Sequence, residues 1–233
     1  MVLDSRVLSP KFDLFEDDSE ETLVGSSSHQ GAIVALVEGI GDSAAQRDLP
    51  WFVCNQLTLV LPRRGEYPPA QPAPDICVHP TLMGAQRTAL LVAIDGPPAL
   101  IIEVTSPSTA LRRDLNMNSG AGKPLLYEAI GVREYLVFDP HAEYLGAQVW
   151  ARRLGPHGYA PWPQSDDGRW HSQTLGISFA PQGFLLRVFD HDGELVPLHQ
   201  ELRDENADLR GDNAALRAQL AALEAALRQQ RGE

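Results

Sequence analysis

The sequence predicts a mixed α/β domain followed by a C-terminal coiled-coil helix. Helical and strand-like apolar patterns alternate through the middle of the chain, and a leucine repeat of seven residues occupies its end. The 233 residues, 43% hydrophobic and 21% charged, suit one globular domain with an appendage. We therefore expect an acidic, partly disordered arm over residues 1–22, a folded domain over 23–196 and a coiled coil over 197–233.

The elements follow from local patterns. His29 to about Arg47 places its apolar residues on one helical stripe, which predicts the first helix. Trp51–Leu61 is rich in β-forming residues and predicts a strand, whereas the proline-rich stretch Tyr67–Pro74 predicts a loop. Three further strands are predicted at Asp75–His79, Ala99–Thr105 and Glu134–Phe138. A helix is predicted at Lys123–Ile130, where Gly131 provides the stop. Aromatic and β-branched runs after Asp139 predict added β-hairpins.

Charge and cysteine content exclude several classes of protein. The net charge of −12 argues against binding nucleic acid through bulk charge, because non-specific affinity comes from Lys and Arg at the phosphates. The only cysteines, Cys54 and Cys77, are too few for a disulfide framework, and we expect reduced thiols in a cytosol. Met1–Glu21 is polar and acidic, and no long uncharged apolar span follows. These features predict a soluble, cytoplasmic protein with no membrane partner.

The tail has a heptad repeat. Leucines recur every seven residues at the d position, with Asn or Leu four residues later at the a position. The predicted dimerisation residues are Leu202, Asn206, Leu209, Asn213, Leu216, Leu220, Leu223 and Leu227. Leu at d with buried Asn at a favours a parallel two-stranded coil, and its g and e′ charges are complementary. A lone solvated helix is the alternative, which we disfavour because isolated helices need a packing partner.

Two carboxylates and a lysine are candidates for chemistry. Glu103 lies inside an otherwise apolar strand, where an uncompensated charge costs several kcal/mol. The strand could instead be an edge strand whose polar face meets solvent. Asp75 begins a neighbouring strand, and two carboxylates at neighbouring strand positions suit a hard cation such as Mg²⁺. Lys123, at the start of a helix, could orient a metal-bound water and stabilise developing phosphate charge.

An ordered series of motifs resembles a known family. The series is Pro74-Asp75, Glu103-Val104-Thr105-Ser106-Pro107-Ser108-Thr109, Lys123 with Tyr127, Gly131-Val132-Arg133-Glu134-Tyr135 and Asp139-Pro140. It looks like the Uma family (domain of unknown function 820), whose members are named as restriction endonucleases and which is similar to the PD-(D/E)XK nuclease superfamily. The resemblance covers roughly Glu20–Val196. It implies a restriction-endonuclease-like mixed sheet with flanking helices and metal-dependent hydrolysis of DNA phosphodiester bonds.

The resemblance also implies roles for single residues. Asp75 and Glu103 match the family's ligands for Mg²⁺, which Mn²⁺ could replace. The motif lysine would fall at Thr105, and Lys123 from the following helix matches its substitute. Glu21 resembles an N-terminal acid that completes the metal site.

Paired basic residues add a candidate DNA contact. Arg112 and Arg113 lie between Glu103 and Lys123 in the sequence and could meet a DNA phosphate. Asp190–Glu194 begins like a calcium loop, but it lacks the spaced ligands and the distal Glu, so a hairpin turn is favoured.

Two functions from different classes follow. The first is a homodimeric Mg²⁺-dependent endonuclease acting on DNA. The second is a catalytically inactive nuclease-fold module that binds nucleic acid or protein and dimerises through its coiled coil. The second hypothesis rests on the acidic net charge and on the Asn- and Gly-rich connection Leu115–Gly122, which separates Asp114 from Lys123.

Overall fold

The computed structural model describes residues 27–61, 71–82, 87–105 and 122–232. The predicted arm over 1–22 with Glu21, the basic pair Arg112 and Arg113, and Asp114 lie outside the described residues.

The described residues form a mixed α/β fold. The helices are α1 Ser27–Gln46, α2 Val92–Asp95, α3 Lys123–Ile130 and α4 His199–Arg231. The strands are β1 Phe52–Cys54, β2 Thr58–Val60, β3 Ile76–His79, β4 Ala89–Leu91, β5 Leu100–Val104, β6 Glu134–Phe138, β7 Val149–Gly155, β8 Gly158–Pro161, β9 Trp170–His171, β10 Ser178–Gln182 and β11 Leu185–Phe189. This architecture confirms the predicted fold class, with a mixed sheet, flanking helices, added hairpins and a C-terminal helix.

A six-stranded sheet forms the centre, in the order β1-β3-β5-β6-β7-β8. The pair β5–β6 is parallel, and its neighbours β3–β5 and β6–β7 are antiparallel. The connection between β5 and β6 includes α3, as parallel neighbours require a crossover. The strands β9, β10 and β11 form a separate antiparallel sheet.

The segment predicted as one strand, Trp51–Leu61, is two strands in different sheets. The strand β1 pairs with β3 in the central sheet, whereas β2 pairs in parallel with β4. The chain turns between them at Gln56, whose φ of +50° lies in the left-handed region. The amide of Gln56 donates to the carbonyl of Pro74, 3.0 Å away. The polar pair Asn55-Gln56 interrupts the apolar run at this turn, but two polar residues alone do not distinguish a break from the polar face of one strand.

Two hydrophobic cores cover the two faces of the central sheet. The first packs α1 and the β9–β11 sheet against one face, which includes Ile102 and Val104 of β5. The second packs α3, β2 and β4 against the other face, which includes Ile101 of β5 and Tyr127 of α3. Because side chains alternate along a strand, Glu103 lies on the same face as Ile101 and faces α3. The sheet therefore presents Glu103 to the helix that carries Lys123.

The contact between α1 and the small sheet at Val188 depends on a glycine. A Cβ added at Gly39 would lie 2.8 Å from Cγ2 of Val188, which is 1% exposed. Gly41 lies two residues later on the same helix, and an added Cβ there meets no atom within 4 Å. The two glycines therefore form a matched pair for testing this contact.

We expect Gly39→Ala to destabilise the protein and Gly41→Ala to stabilise it. Both changes improve helix propensity by roughly 1 kcal/mol, but the added methyl at position 39 overpacks the core at a cost of about 1–3 kcal/mol. Thermal unfolding followed by circular dichroism measures both variants. A melting temperature for Gly39→Ala as high as that of Gly41→Ala would contradict the close contact with Val188.

The C-terminal helix α4 is exposed along its length and is held at its first turn. Glu201 accepts two hydrogen bonds of 2.8 Å from Arg187 of β11. These bonds to the guanidinium are the main reason that the pKa of Glu201 is lowered. His199 lies 3.4 Å from Glu38 and 3.0 Å from Asp42 of α1. Beyond this turn the leucines of the repeat are 37–63% exposed. In the described part of the chain, no helix has both the length and the apolar character to cross a membrane.

Candidate active site

Asp75 and Glu103 lie side by side at one end of the sheet. The antiparallel register pairs Ile76 with Ile102, so the residue before β3 lies opposite the fourth residue of β5. The backbone amide of Asp75 donates to Oε2 of Glu103 over 3.3 Å, and the amide of Val104 donates to Oδ2 of Asp75 over 2.8 Å. The two acids that sequence motifs indicated are therefore neighbours in space.

Glu103 is buried, with 1% of its surface exposed, in a strand that has neighbours on both sides. The alternative of a solvent-facing edge strand is therefore wrong. The carboxylate is compensated by donors: the Tyr127 hydroxyl donates to Oε1 over 2.9 Å, and the Lys123 ammonium lies 3.0 Å from Oε2. Such pairing offsets much of the cost of desolvating a charge.

The helix α3 positions both of these donors. Lys123 and Tyr127 are separated by four residues, so they project from the same helical face. Pro124 lies in the first turn, where its missing amide hydrogen costs little, and Gly131 ends the helix with a φ of +88°. The helix begins at Lys123 and ends at Ile130, as the sequence predicts. The lysine side chain is 15% exposed and points to Glu103.

Thr105 occupies the position where the PD-(D/E)XK pattern places its lysine. Its side chain is 5% exposed, and its hydroxyl makes no hydrogen bond within the described residues. A threonine hydroxyl cannot supply the positive charge of a lysine. The ammonium group beside Glu103 comes from Lys123 instead.

His29 of α1 also reaches this end of the sheet. Its Nε2 lies 3.9 Å from Oδ1 of Asp75, and its Nδ1 lies 3.5 Å from the carbonyl oxygen of Thr105. The side chain is 12% exposed. Sequence reasoning did not select His29, because a single histidine in an amphipathic helix carries no spacing signal towards residues that lie far away in the chain. Tyr127 is part of the family pattern, but the pattern alone gives it no role.

Burial and charge act on the neighbouring thiols. Cys77 of β3 lies opposite Cys54 of β1, and both are free cysteines. The side-chain hydrogen bond with Cys54 raises the pKa of the Cys77 thiol, and burial and the negative charge of Glu103 raise it further. The same hydrogen bond lowers the pKa of Cys54. The raised pKa of the Cys77 thiol keeps it in the neutral form behind the carboxylates.

The donor set around Asp75 fits a divalent cation. Two carboxylates and an imidazole are groups that bind dications, and the Lys123 ammonium lies beside one of these carboxylates. Within the described residues, three potential ligands come within 4.8 Å of one another at Asp190, His191 and Asp192. That group is the exposed turn after β11, where Oδ1 of Asp190 accepts from the amides of Asp192 and Glu194. These bonds agree with the hairpin turn predicted there.

Comparisons with known proteins place the chain in a family. The model of the Uma2 family, described as "Putative restriction endonuclease", matches residues 8–181. The chain is also similar to the crystal structure of "a putative nuclease belonging to DUF820" from Anabaena variabilis, with 15% identity, coverage of 77% of this chain and 76% of that chain, and a TM-score of 0.39. No curated protein matches the chain. Because the family model spans most of the sequence, the chain belongs to the Uma2 family of restriction-endonuclease-like proteins.

Proposed function

We propose that the protein is an endonuclease that hydrolyses DNA phosphodiester bonds with Mg²⁺ or Mn²⁺. The observation that carries this proposal is the cluster of Asp75, Glu103 and Lys123, in which the ammonium lies 3.0 Å from the buried carboxylate. A lysine pointing into solvent would have favoured a module without catalysis. Membership of the Uma2 family supports the same class of reaction.

Asp75 and Glu103 would hold the cation. When bound, it would lower the pKa of a water molecule and offset negative charge on the phosphate. Both oxygens of Glu103 are already oriented by Lys123 and Tyr127, and Oδ2 of Asp75 is fixed by the amide of Val104. The carboxylates are therefore held in place by groups on β5 and α3, which limits the rearrangement needed during the reaction.

Lys123 supplies the positive charge of the protein itself. Its ammonium has three donors, so it can bond Glu103 and still donate to an attacking water or a phosphate oxygen. A donor placed where negative charge develops stabilises the transition state more than the ground state. Tyr127 holds the far oxygen of Glu103 and keeps the carboxylate from turning away.

Nicking of supercoiled plasmid tests the proposed function. We expect the full-length protein to convert the plasmid to open circles with Mg²⁺ or Mn²⁺, and we expect a chelator or Asp75→Asn to stop the reaction. Absence of nicking with either metal, together with retained DNA binding, would contradict the proposal and favour the non-cleaving module.

Three residues of this chain that lie outside the described residues complete the proposal. We place Arg112 and Arg113 at the DNA phosphates, because they lie in the connection between Glu103 and Lys123. Glu21 is proposed as an additional acid of the metal site on the basis of the family pattern. Charge reversal of the arginines should weaken DNA binding and reduce its dependence on salt.

The helix α4 supports a parallel homodimer. Its leucines form an exposed stripe, and a second copy would bring Glu205 opposite Arg210 and Asp212 opposite Arg217. The amides of Asn206 and Asn213 donate to the carbonyls four residues earlier within the single chain. Both asparagines lie on the same stripe, where they can pair across the dimer and fix its register. Two nuclease sites in one particle would suit cleavage of both strands.

The dimer is tested by replacing leucines of the stripe. Leu209→Glu with Leu216→Glu should give a monomer, because charges at two d positions disrupt the seam. Ala207→Glu with Ala218→Glu adds the same charge to the outer face of the helix and should leave the dimer intact. Light scattering at micromolar concentration should give twice the chain mass of 25.5 kDa for the unmodified protein and the control. A monomeric unmodified protein would refute the coiled coil.

A further inference from the structure

We propose that His29 is a third side-chain ligand at the metal site and that its imidazole makes the site prefer Mn²⁺ to Mg²⁺. This inference rests on the proposed function, because it assumes that Asp75 and Glu103 hold a cation. It adds a ligand from α1 to the two acids that β3 and β5 provide.

The contacts of the His29 ring favour the tautomer in which Nε2 carries the lone pair that a metal ligand needs. Nδ1 lies 3.5 Å from the carbonyl oxygen of Thr105, and a carbonyl can only accept, so this contact requires the hydrogen on Nδ1. In the neutral ring, Nε2 then carries the lone pair and faces Asp75. Histidines that bind metals commonly donate their other N–H to a backbone carbonyl in this way. Thr105 directly follows β5, so the strand of Glu103 also orients His29.

The separation between His29 and Asp75 suits an atom between them. Nε2 and Oδ1 are 3.9 Å apart, which is too long for a direct hydrogen bond. Two ligand bonds of about 2.1 Å reach about 4.2 Å, so one cation can contact both groups. Glu103 lies next to Asp75 through the bond from the Asp75 amide to Oε2. A cation held between His29 and Asp75 would therefore have the carboxylate of Glu103 as a neighbour on the adjacent strand.

The imidazole determines which cation the site prefers. Mg²⁺ takes oxygen ligands and exchanges its waters reluctantly, so a nitrogen contributes little to its binding. Divalent ions of the first transition row bind mixed nitrogen and oxygen sites, and Mn²⁺ accepts both donors. A site of two carboxylates alone would discriminate less between these cations. His29 is thus expected to strengthen Mn²⁺ binding selectively.

Pulsed electron paramagnetic resonance of Mn²⁺ bound to the full-length protein tests this directly. We expect a ¹⁴N coupling from a bound imidazole in the unmodified protein, its loss in His29→Ala, and its retention in His191→Ala, which removes the imidazole of the exposed turn. Because the signal is measured on the unmodified protein, it does not depend on the folding of a variant. Bound Mn²⁺ without a ¹⁴N coupling would overturn the proposal and would indicate that His29 pairs with Asp75 directly or through water.

Calorimetric titration tests the selectivity. His29→Ala should weaken Mn²⁺ binding by about tenfold or more and Mg²⁺ binding by less than about threefold. Equal weakening of both metals would overturn the selectivity. The variant Asp75→Asn separates this failure from failure of the proposed function. If Asp75→Asn leaves Mn²⁺ binding unchanged, Asp75 is not a ligand and the proposed metal site is wrong. If Asp75→Asn loses Mn²⁺ binding but His29→Ala does not, the proposed metal site stands and His29 is excluded as a ligand.

Discussion

Glu103→Gln is expected to lower plasmid nicking by about a thousandfold, which corresponds to the several kcal/mol that a metal supplies to a transition state. The amide keeps the size of the carboxylate and an oxygen that can accept from Tyr127, but it has no charge with which to hold a dication. The change also removes the counter-ion of Lys123, whose side chain is 15% exposed. We therefore expect a loss of stability of about 1–2 kcal/mol, less than for a fully buried ion pair, because Asp75 lies nearby.

The matched control for this variant is Glu134→Gln. Glu134 is also buried, at 0% exposure, and also has a cationic partner, Arg153 at 3.2 Å. It begins β6, where it pairs with Leu100, so it lies at the other end of the strands from Glu103. Initial rates of nicking and thermal melts are measured for both variants. Nicking by Glu103→Gln at the rate of the unmodified protein would exclude Glu103 as a metal ligand, whatever the stability of either variant.

The parts of the site that the sequence could predict are those with local signals. A lone carboxylate in an apolar run indicates a buried acid, and the structure places Glu103 at 1% exposure. The helix with Lys123 at its start is marked by Pro124 and by the stop at Gly131, and its bounds agree with the structure. The family pattern then relates these local features to one another. The ion pair between Lys123 and Glu103 is consistent with the lysine substitution that this pattern implies.

The parts that the sequence could not predict depend on conformations or contacts without a local pattern. The break between β1 and β2 comes from the left-handed conformation of Gln56, a residue with no special preference for it. The position of His29 depends on how α1 packs on the sheet, and its partners Asp75 and Thr105 are far away in the chain. Packing of this kind is set by the whole core, including the contact at Gly39.

Lys123→Met is expected to reduce the single-turnover rate of cleavage by about a hundredfold to a thousandfold while leaving Mn²⁺ affinity within about threefold. The two effects separate because the ammonium contributes to a transition state in which charge moves onto phosphate oxygens, but it is not a ligand. Methionine retains most of the side-chain volume between α3 and β5, so the helix should stay in place.

The charges of the site determine whether metal affinity rises or falls when Lys123 is replaced. Removal of the ammonium leaves Glu103 beside Asp75 with less compensation, and two neighbouring carboxylates attract a dication more strongly when no cation competes. Metal binding should therefore be unchanged or tighter, whereas a ligand variant such as Glu103→Gln loses both binding and rate. Arg133→Met, at an exposed position just after the far end of α3, also removes one positive charge, but away from Glu103, and it serves as the control. Rates that fall equally in Lys123→Met and Arg133→Met would show that the lysine acts only through the general field of the protein and would exclude its place in the site.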